Sequence, residues 1–310
     1  MRPPPSFQAM IALSRRAIAD WQADFAPSMG AALSFYTLFS LAPVILIAIS
    51  VAGLIFAQAA VQGQVFTQLQ GLVGDQGAEA AQKLVESAST PSTSWIATII
   101  GLVTMLIGAT TVFAELQSDL DRIWKTPPPT RSGIWLLLRT RLLSFGLILG
   151  IGFLMLVSLV LTAILTVLGQ WWASAFGGWT ILLQIANFVL SFALTAGLFA
   201  MIYKILPSCA VAWRDVWIGA IVTSLLFSLG KLVIGIYLGH SNVTAAYGAA
   251  GSIAVLLLWV YYAAQIFLLG AEFTHVYATS HGSLSSEAAA PPDAHDAPRR
   301  GPALVRSVTE

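Results

Sequence analysis

Tyr261, Gln265, Glu272 and His275 are the residues of this chain best spaced to do chemistry together. They follow one another at offsets of four, seven and three, which keep returning to the same side of an α-helix. The stretch that carries them opens on Tyr247-Gly-Ala-Ala-Gly-Ser252, runs apolar through Trp259-Val-Tyr-Tyr262 and closes on Gly270-Ala-Glu272. About 20 apolar residues are what a bilayer core about 30 Å thick asks of a helix. The row therefore lies on a membrane span, where an ionisable group costs about 2.5 to 3.5 kcal/mol even on a lenient insertion scale. Such a face must look into protein rather than lipid.

Other polar residues obey the same logic. Ala97, Gly101, Thr104, Gly108, Thr111, Glu115, Ser118 and Arg122 alternate offsets of four and three, and shorter seams run through Gln184, Asn187, Ser191 and Thr195 and through Ala220, Ser224, Ser228, Lys231 and Gly235. Gly146 and Gly150 form a Gly-x-x-x-Gly pair. In lipid, small residues let helix backbones approach and polar ones hydrogen-bond across the gap, so the seams either pack a bundle or line a route. Counted at about 1.5 Å per residue from Trp95 and Gly251, Glu115 and Glu272 both reach the cytoplasmic boundary. There they could share a site near Arg122, Arg139 and Arg141; the bland alternative is a pair of interfacial carboxylates bathed in water. Lys231 falls in the outer half, too far from Glu272 for direct pairing. Its ammonium either snorkels to the surface or lines an outward cavity.

The elements that must position these groups follow from composition. Of 310 residues 57% are hydrophobic and 9% charged, against about 25% charged in a soluble domain. Apolar segments at about 30 to 57, 95 to 115, 135 to 168, 180 to 205, 215 to 238 and 251 to 277 predict six transmembrane helices in an all-α, polytopic protein. Pro43 predicts a kink in the first. Of the fifteen Lys and Arg, thirteen fall on the side of the termini, only Lys83 opposite, and Lys231 within a span. That asymmetry places both termini in the cytoplasm. Residues 1–28 predict a cytoplasmic interfacial helix, with Phe7, Ile11, Ile18, Trp21 and Phe25 at helical spacing beside Arg15 and Arg16, and no signal-peptide core. Residues 29–280 form the membrane domain. In the first outer loop, about 58 to 94, Val65, Leu69, Leu72, Val73, Leu84, Val85 and Ala88 predict two short amphipathic helices, interrupted at Gly71, Gly74 and Gly77. Residues 281–310 hold too little apolar content to fold and predict a disordered cytoplasmic tail. Gly101, Gly108, Gly248, Gly251 and Gly270 join Pro43 as structural positions.

Several classes are disfavoured. Cys209, the single cysteine, excludes an internal disulfide and a cysteine-built metal site. His240, His275, His281 and His295 have no ligand spacing, and no nucleotide-binding loop occurs. No cofactor, metal or nucleic acid partner is expected. Membrane lipids are the partners the composition demands, and a homo-oligomer is compatible with it.

The combination of Tyr36-Thr-Leu-Phe-Ser-Leu-Ala-Pro43, Leu120-Asp-Arg-Ile-Trp124, Gly230-Lys231 with Tyr237, Tyr247-Gly248, and Leu257-Leu-Trp-Val-Tyr261 leading to Leu269-Gly-Ala-Glu272 resembles the YihY/BrkB family of bacterial inner-membrane proteins. The match covers about residues 15 to 278. It departs at Asp121, where the family more often has Asn. The resemblance implies a six-helix inner-membrane protein; members have been labelled ribonuclease BN and a virulence-associated serum-resistance factor. A metal-dependent nuclease needs carboxylates or histidines clustered about an ion, and Asp119 and Asp121, two apart, point to different faces. The residues instead support a non-enzymatic transport or export protein. Lys231, Glu272, Glu115, Gln265, Tyr261, Asn187 and Gln184 would bind a lipid-like or ionic substrate between the helices. The alternative is a non-transporting scaffold or envelope-maintenance factor.

Overall fold

The computed structural model describes residues 7–53, 58–89, 111–127, 180–240 and 250–285, with Gly146 and Gly150. Among the described residues every regular element is helical. They are α1 (Phe7–Ala23), α2 (Ala26–Gly53), α3 (Gln58–Ser89), α4 (111–123), α5 (Thr180–Ile205), α6 (Trp213–His240), α7 (Gly251–Ser280) and a closing 3-10 turn, Ser283–Ser285. α5, α6 and α7 are long and apolar enough to cross a bilayer over Phe188–Ile205, Trp213–Tyr237 and Ile253–Ser280. α1 and α2 meet at 67° and add a fourth crossing if the bent pair is one span. Against six expected spans, the described residues thus supply three or four. The expected second and third, with Gly101 and Gly108, lie outside them apart from the end of the second at 111–115 and from Gly146 and Gly150. Gly248 lies outside as well.

The corner between α1 and α2 is made by Phe25, whose φ of 60° is in the left-handed region. Its amide bonds back to the Gln22 carbonyl while its own carbonyl accepts from Ser28 and Met29, closing one helix and starting the next. Pro27 follows in the first turn of α2, where its missing N–H leaves no helical bond unmade. The apolar residues of α1 divide between two faces, and of the expected stripe Ile11, Ile18 and Phe25 take the outer one. Leu13 and Ala17 are buried against Phe273, Val276 and Tyr277 of α7, whereas Ile11, Ile18 and Phe25 are exposed. The exposed row, at offsets of seven, is the one free to meet a membrane surface.

The region expected to hold two short helices is a single one of 32 residues, α3, running through Gly71, Gly74 and Gly77. Glycine weakens a helix by only about 1 kcal/mol, and α3 has a surface to pack on. Val85 is buried with Ala42, Ile45 and Ile49 of α2, and Val65, Phe66, Leu69 and Leu84 pack around them. α2 is helical through Pro43.

α7 is the central element, packed against α6, α2, α1 and α3. Its crossing with α6 is reciprocal. A Cβ added to Gly270 would lie 2.0 Å from Thr223 Oγ1, and one added to Gly219 would lie 1.8 Å from Thr274 Oγ1. Each threonine sits on the other helix's glycine and donates to the glycine carbonyl of its own helix, Thr223 to Gly219 at 2.8 Å and Thr274 to Gly270 at 2.7 Å. The hydroxyls are thus satisfied without lipid contact, and the backbones close together. Tyr203 of α5 locks the same place, its buried hydroxyl donating to the Phe267 carbonyl at 2.7 Å and lying 3.1 Å from Thr223 Oγ1. Gly150 meets Met201 of α5 in the same manner, while Gly146 meets nothing among the described residues.

Gly270→Val should overpack this crossing and lower unfolding stability in mixed micelles by about 1–3 kcal/mol. Adding Thr223→Ala should restore part of that loss; two strictly additive losses would show that the glycine and the threonine are not in contact.

Candidate functional site

The polar row of α7 faces protein. Glu272 is fully buried, at 0% exposure, and neither carboxyl oxygen has a hydrogen-bond partner within the protein. Gln265 lies about two turns away, its amide atoms also unpartnered, seated in the space that Gly30 of α2 leaves: a Cβ there would come within 2.0 Å of Nε2. The half-buried His275 packs edge-on against Trp124 at 5.3 Å between ring centroids, its Nδ1 unpartnered. The indole nitrogens of Trp21 and Trp124 are buried without acceptors too. Buried polar groups are nearly always bonded, because each unmet one costs about 1–3 kcal/mol. Five such residues lie on the elements around one stretch of α7.

Two helix ends supply the charges. Among the described residues, the charged neighbours of Glu272 are Asp24 and Asp20 at the end of α1 and Lys125 just after α4. His275 faces the same three groups and Arg16. Both helix ends turn here through left-handed residues, Phe25 and Lys125, the latter at φ 50°. Arg122 stacks over the Phe25 ring at 5.7 Å, so α4 covers the α1–α2 corner.

Sequence spacing alone missed Asp20, Asp24, Trp21 as a polar group, Trp124 and Lys125. The available signal was the i, i+4 row Arg16, Asp20, Asp24, which runs along one face of α1. Glu115 is half-buried on α4, and its carboxylate acts on Asp119 rather than appearing among the charged neighbours of Glu272. Lys231 is half-buried over the Phe227 ring at 5.7 Å. Its neighbour Gly230 packs on Tyr262 and Ile266, which sets Lys231 about ten residues, or about 15 Å of helix rise, from Glu272. Tyr261 is half-buried on α7, Gly251 is buried at its start, and Gly270 lies in the α6 crossing. The side chains of Gln184, Asn187 and Pro43 lie outside the described residues. Among the described residues no three His, Cys, Asp or Glu side chains are grouped to hold a metal.

Two other carboxylates clamp loops beside the site. Asp121 accepts from the amide and hydroxyl of Ser208, both at 2.7 Å, fixing the α5–α6 connection to the end of α4; an Asn here could accept the first bond and donate to the hydroxyl. Asp215, at the start of α6, accepts from the amide and hydroxyl of Ser283 at 2.9 and 2.6 Å. Leu284, just after it, packs on the core. Asp119 has its carboxyl pushed up to about 7, first by burial and then by Glu115, with Arg122 pulling the other way.

Apolar helices long enough to cross a bilayer, with an ionisable row turned inward, define a helical membrane protein. A family model described as Virulence factor BrkB matches residues 17–295, and the chain belongs to that family. Among similar proteins is a UPF0761 membrane protein of Alcanivorax borkumensis, 28% identical over 82% of this chain and 58% of the relative. Another is a UPF0761 membrane protein of Pseudomonas aeruginosa, 28% identical over 80% and 58% of the two chains. The match to a namesake of Pseudoalteromonas atlantica, at 27% identity, covers 79% of this chain and 78% of the relative. The chain thus spans less than two thirds of the length of the first two. No solved structure matches.

Asp119 gives a pH signature. Its folded pKa of about 7 lies above the ordinary 3.8, so between those values the native state binds more protons than the unfolded one and stability falls as pH rises. Thermal unfolding at about pH 5 and about pH 8 should show this decline in the wild type and a smaller one in Asp119→Asn. Equal declines in the two proteins would remove Asp119 as its source.

Proposed function

We propose that this chain is a non-enzymatic transport or export protein of the bacterial inner (plasma) membrane, passing a lipid-like or ionic substrate along a polar route between its helices. Glu272 carries the reading: a carboxyl at 0% exposure with no partner, in a helix of membrane-spanning length. A side chain that expensive to bury marks a path for polar cargo by default. Gln265 and His275 extend its face, and Tyr261 lies beside them. Lys231, about 15 Å along the same pair of helices, would give an anionic part of the cargo a contact of its own. Opposite charges at two depths suit cargo handed from one contact to the next. The Lys and Arg asymmetry supports cytoplasmic termini. Membrane lipids are the surroundings, a homo-oligomer is compatible with the exposed apolar faces of α5 and α6, and no role for nucleic acid is proposed.

The test is flux of candidate lipids and organic anions into proteoliposomes. Glu272→Gln should lower an established flux at least about tenfold, the loss of about 1.4 kcal/mol of differential interaction, and Lys231→Met should lower it as well. Folded variants that both retain full flux would leave these residues a structural role in a scaffold and overturn the route.

A further inference from the structure

The turn between α5 and α6 presents a cationic and aromatic edge to the outside of the bundle. Trp213, Trp217, Ile221, Leu225, Leu229 and Leu232 of α6 are 45–65% exposed. Their offsets of four, four, four, four and three make them one stripe along the helix. Arg214, also exposed, heads that stripe, three residues before Trp217 and seven before Ile221. From Arg214 to Leu225 the helix rises about 16 Å, which is the depth of one leaflet in a core about 30 Å thick. Lys204, at the end of α5, reaches across the turn to the same edge: its ammonium donates to the Val211 carbonyl and lies over the Trp213 ring at 5.7 Å. An ammonium carries three donors, so this anchoring leaves two for a ligand.

Acids are kept off the edge. Asp215 is the only Asp or Glu between Thr180 and His240. One position beyond Arg214 and so about 100° further around the helix, it is 1% exposed and accepts from the Ser283 amide and hydroxyl at 2.9 and 2.6 Å. Asp121, which reaches the α5–α6 connection from α4, has both oxygens on Ser208. Neither Lys204 nor Arg214 forms a salt bridge among the described residues. Tryptophan rings settle at the headgroup level of a bilayer, and cations beside them attract anionic lipid. A second copy of the chain matches the edge less well. Two-fold pairing about the membrane normal sets a patch against itself, which would bring like cations together at one depth with no outward acid to meet them.

We propose that this edge is a site for one anionic phospholipid, its phosphate on Lys204 and Arg214, its glycerol region against Trp213 and Trp217, and an acyl chain along Ile221 and Leu225. The site is independent of the transport reading, since it uses neither Glu272 nor Lys231.

Native mass spectrometry of the full chain, released from detergent micelles containing dioleoyl phosphatidylglycerol, dioleoyl phosphatidylcholine or inorganic phosphate, tests this. One phosphatidylglycerol should be retained in preference to phosphatidylcholine, and phosphate alone should be lost. Arg214→Gln should weaken that retention about fivefold, the effect of one cation beside an anionic surface, and Lys204→Met should do the same. Arg15→Gln, which removes an exposed cation from α1, should leave it unchanged. If Lys204→Met disturbs the turn by losing the Val211 bond, the exposed Arg214 decides alone. Equal retention of the two lipids, equal losses in Arg15→Gln and Arg214→Gln, or phosphate held as firmly as phosphatidylglycerol would overturn the site. So would dimers cross-linked through Leu225→Cys, in a chain also carrying Cys209→Ser, in phosphatidylglycerol nanodiscs, because they would give the stripe to a second copy.

Discussion

Where α6 crosses α7, two glycines let the helix backbones come closer than any side chain would permit. Gly219 and Gly270 each receive the other helix's threonine, and the threonine hydroxyls close onto their own backbones, so the contact is polar yet complete. Lipid tails are as apolar as leucine and give helices no hydrophobic reason to associate, which makes close packing and internal hydrogen bonds the available glue. This crossing fixes the rotation of α7. Gly270 and Thr274 turn toward α6, and residues 265, 272 and 275, on the flank, are thereby directed to α2, the end of α1 and the end of α4.

The consequence is an uneven interior. Around Tyr203, Phe199 and Phe267 the aromatic rings pack at 5.1 to 6.3 Å and the hydroxyls of Tyr203 and Thr223 are bonded. A short distance along the same helix, Gln265, Glu272 and His275, with two indoles packed nearby, carry buried polar atoms with unmet hydrogen-bonding capacity. Close packing and unmet polar groups are thus separated along one helix. The loops beside the polar end are tied down by carboxylate clamps, Asp121 on Ser208 and Asp215 on Ser283, each taking two hydrogen bonds. Those clamps hold the surroundings of the site without entering it.

Much of the helical content was legible because a span must be about 20 residues long and apolar whatever it packs against. The segments expected at 180 to 205, 215 to 238 and 251 to 277 match α5, α6 and α7 within three residues at each end. The inward face of Gln265, Glu272 and His275 was legible for a similar reason: exposing a charge to hydrocarbon is too costly to be common. The glycine-threonine crossing was only half visible. Gly270 was singled out, but the seam drawn on α6 ran through Ala220 and Ser224, one position from the Gly219 and Thr223 that make the contact. Small residues at adjacent positions look alike to a periodicity argument, and only the partner helix chooses between them.

α3 illustrates the opposite limit. Its glycines argued for interruption, yet the apolar surface of α2 holds it as one helix, because packing outweighs a local propensity of about 1 kcal/mol. Residue spacing by itself determined the helical class, the lengths of the spans and the side of α7 that avoids lipid, since each follows from periods of the helix and the thickness of the bilayer. Tertiary structure alone decided that Glu272 meets Asp24 rather than Glu115. That meeting joins residues 248 positions apart in the chain, and it depends on a left-handed corner at Phe25 and on the rotation of α7, neither of which leaves a period in the sequence.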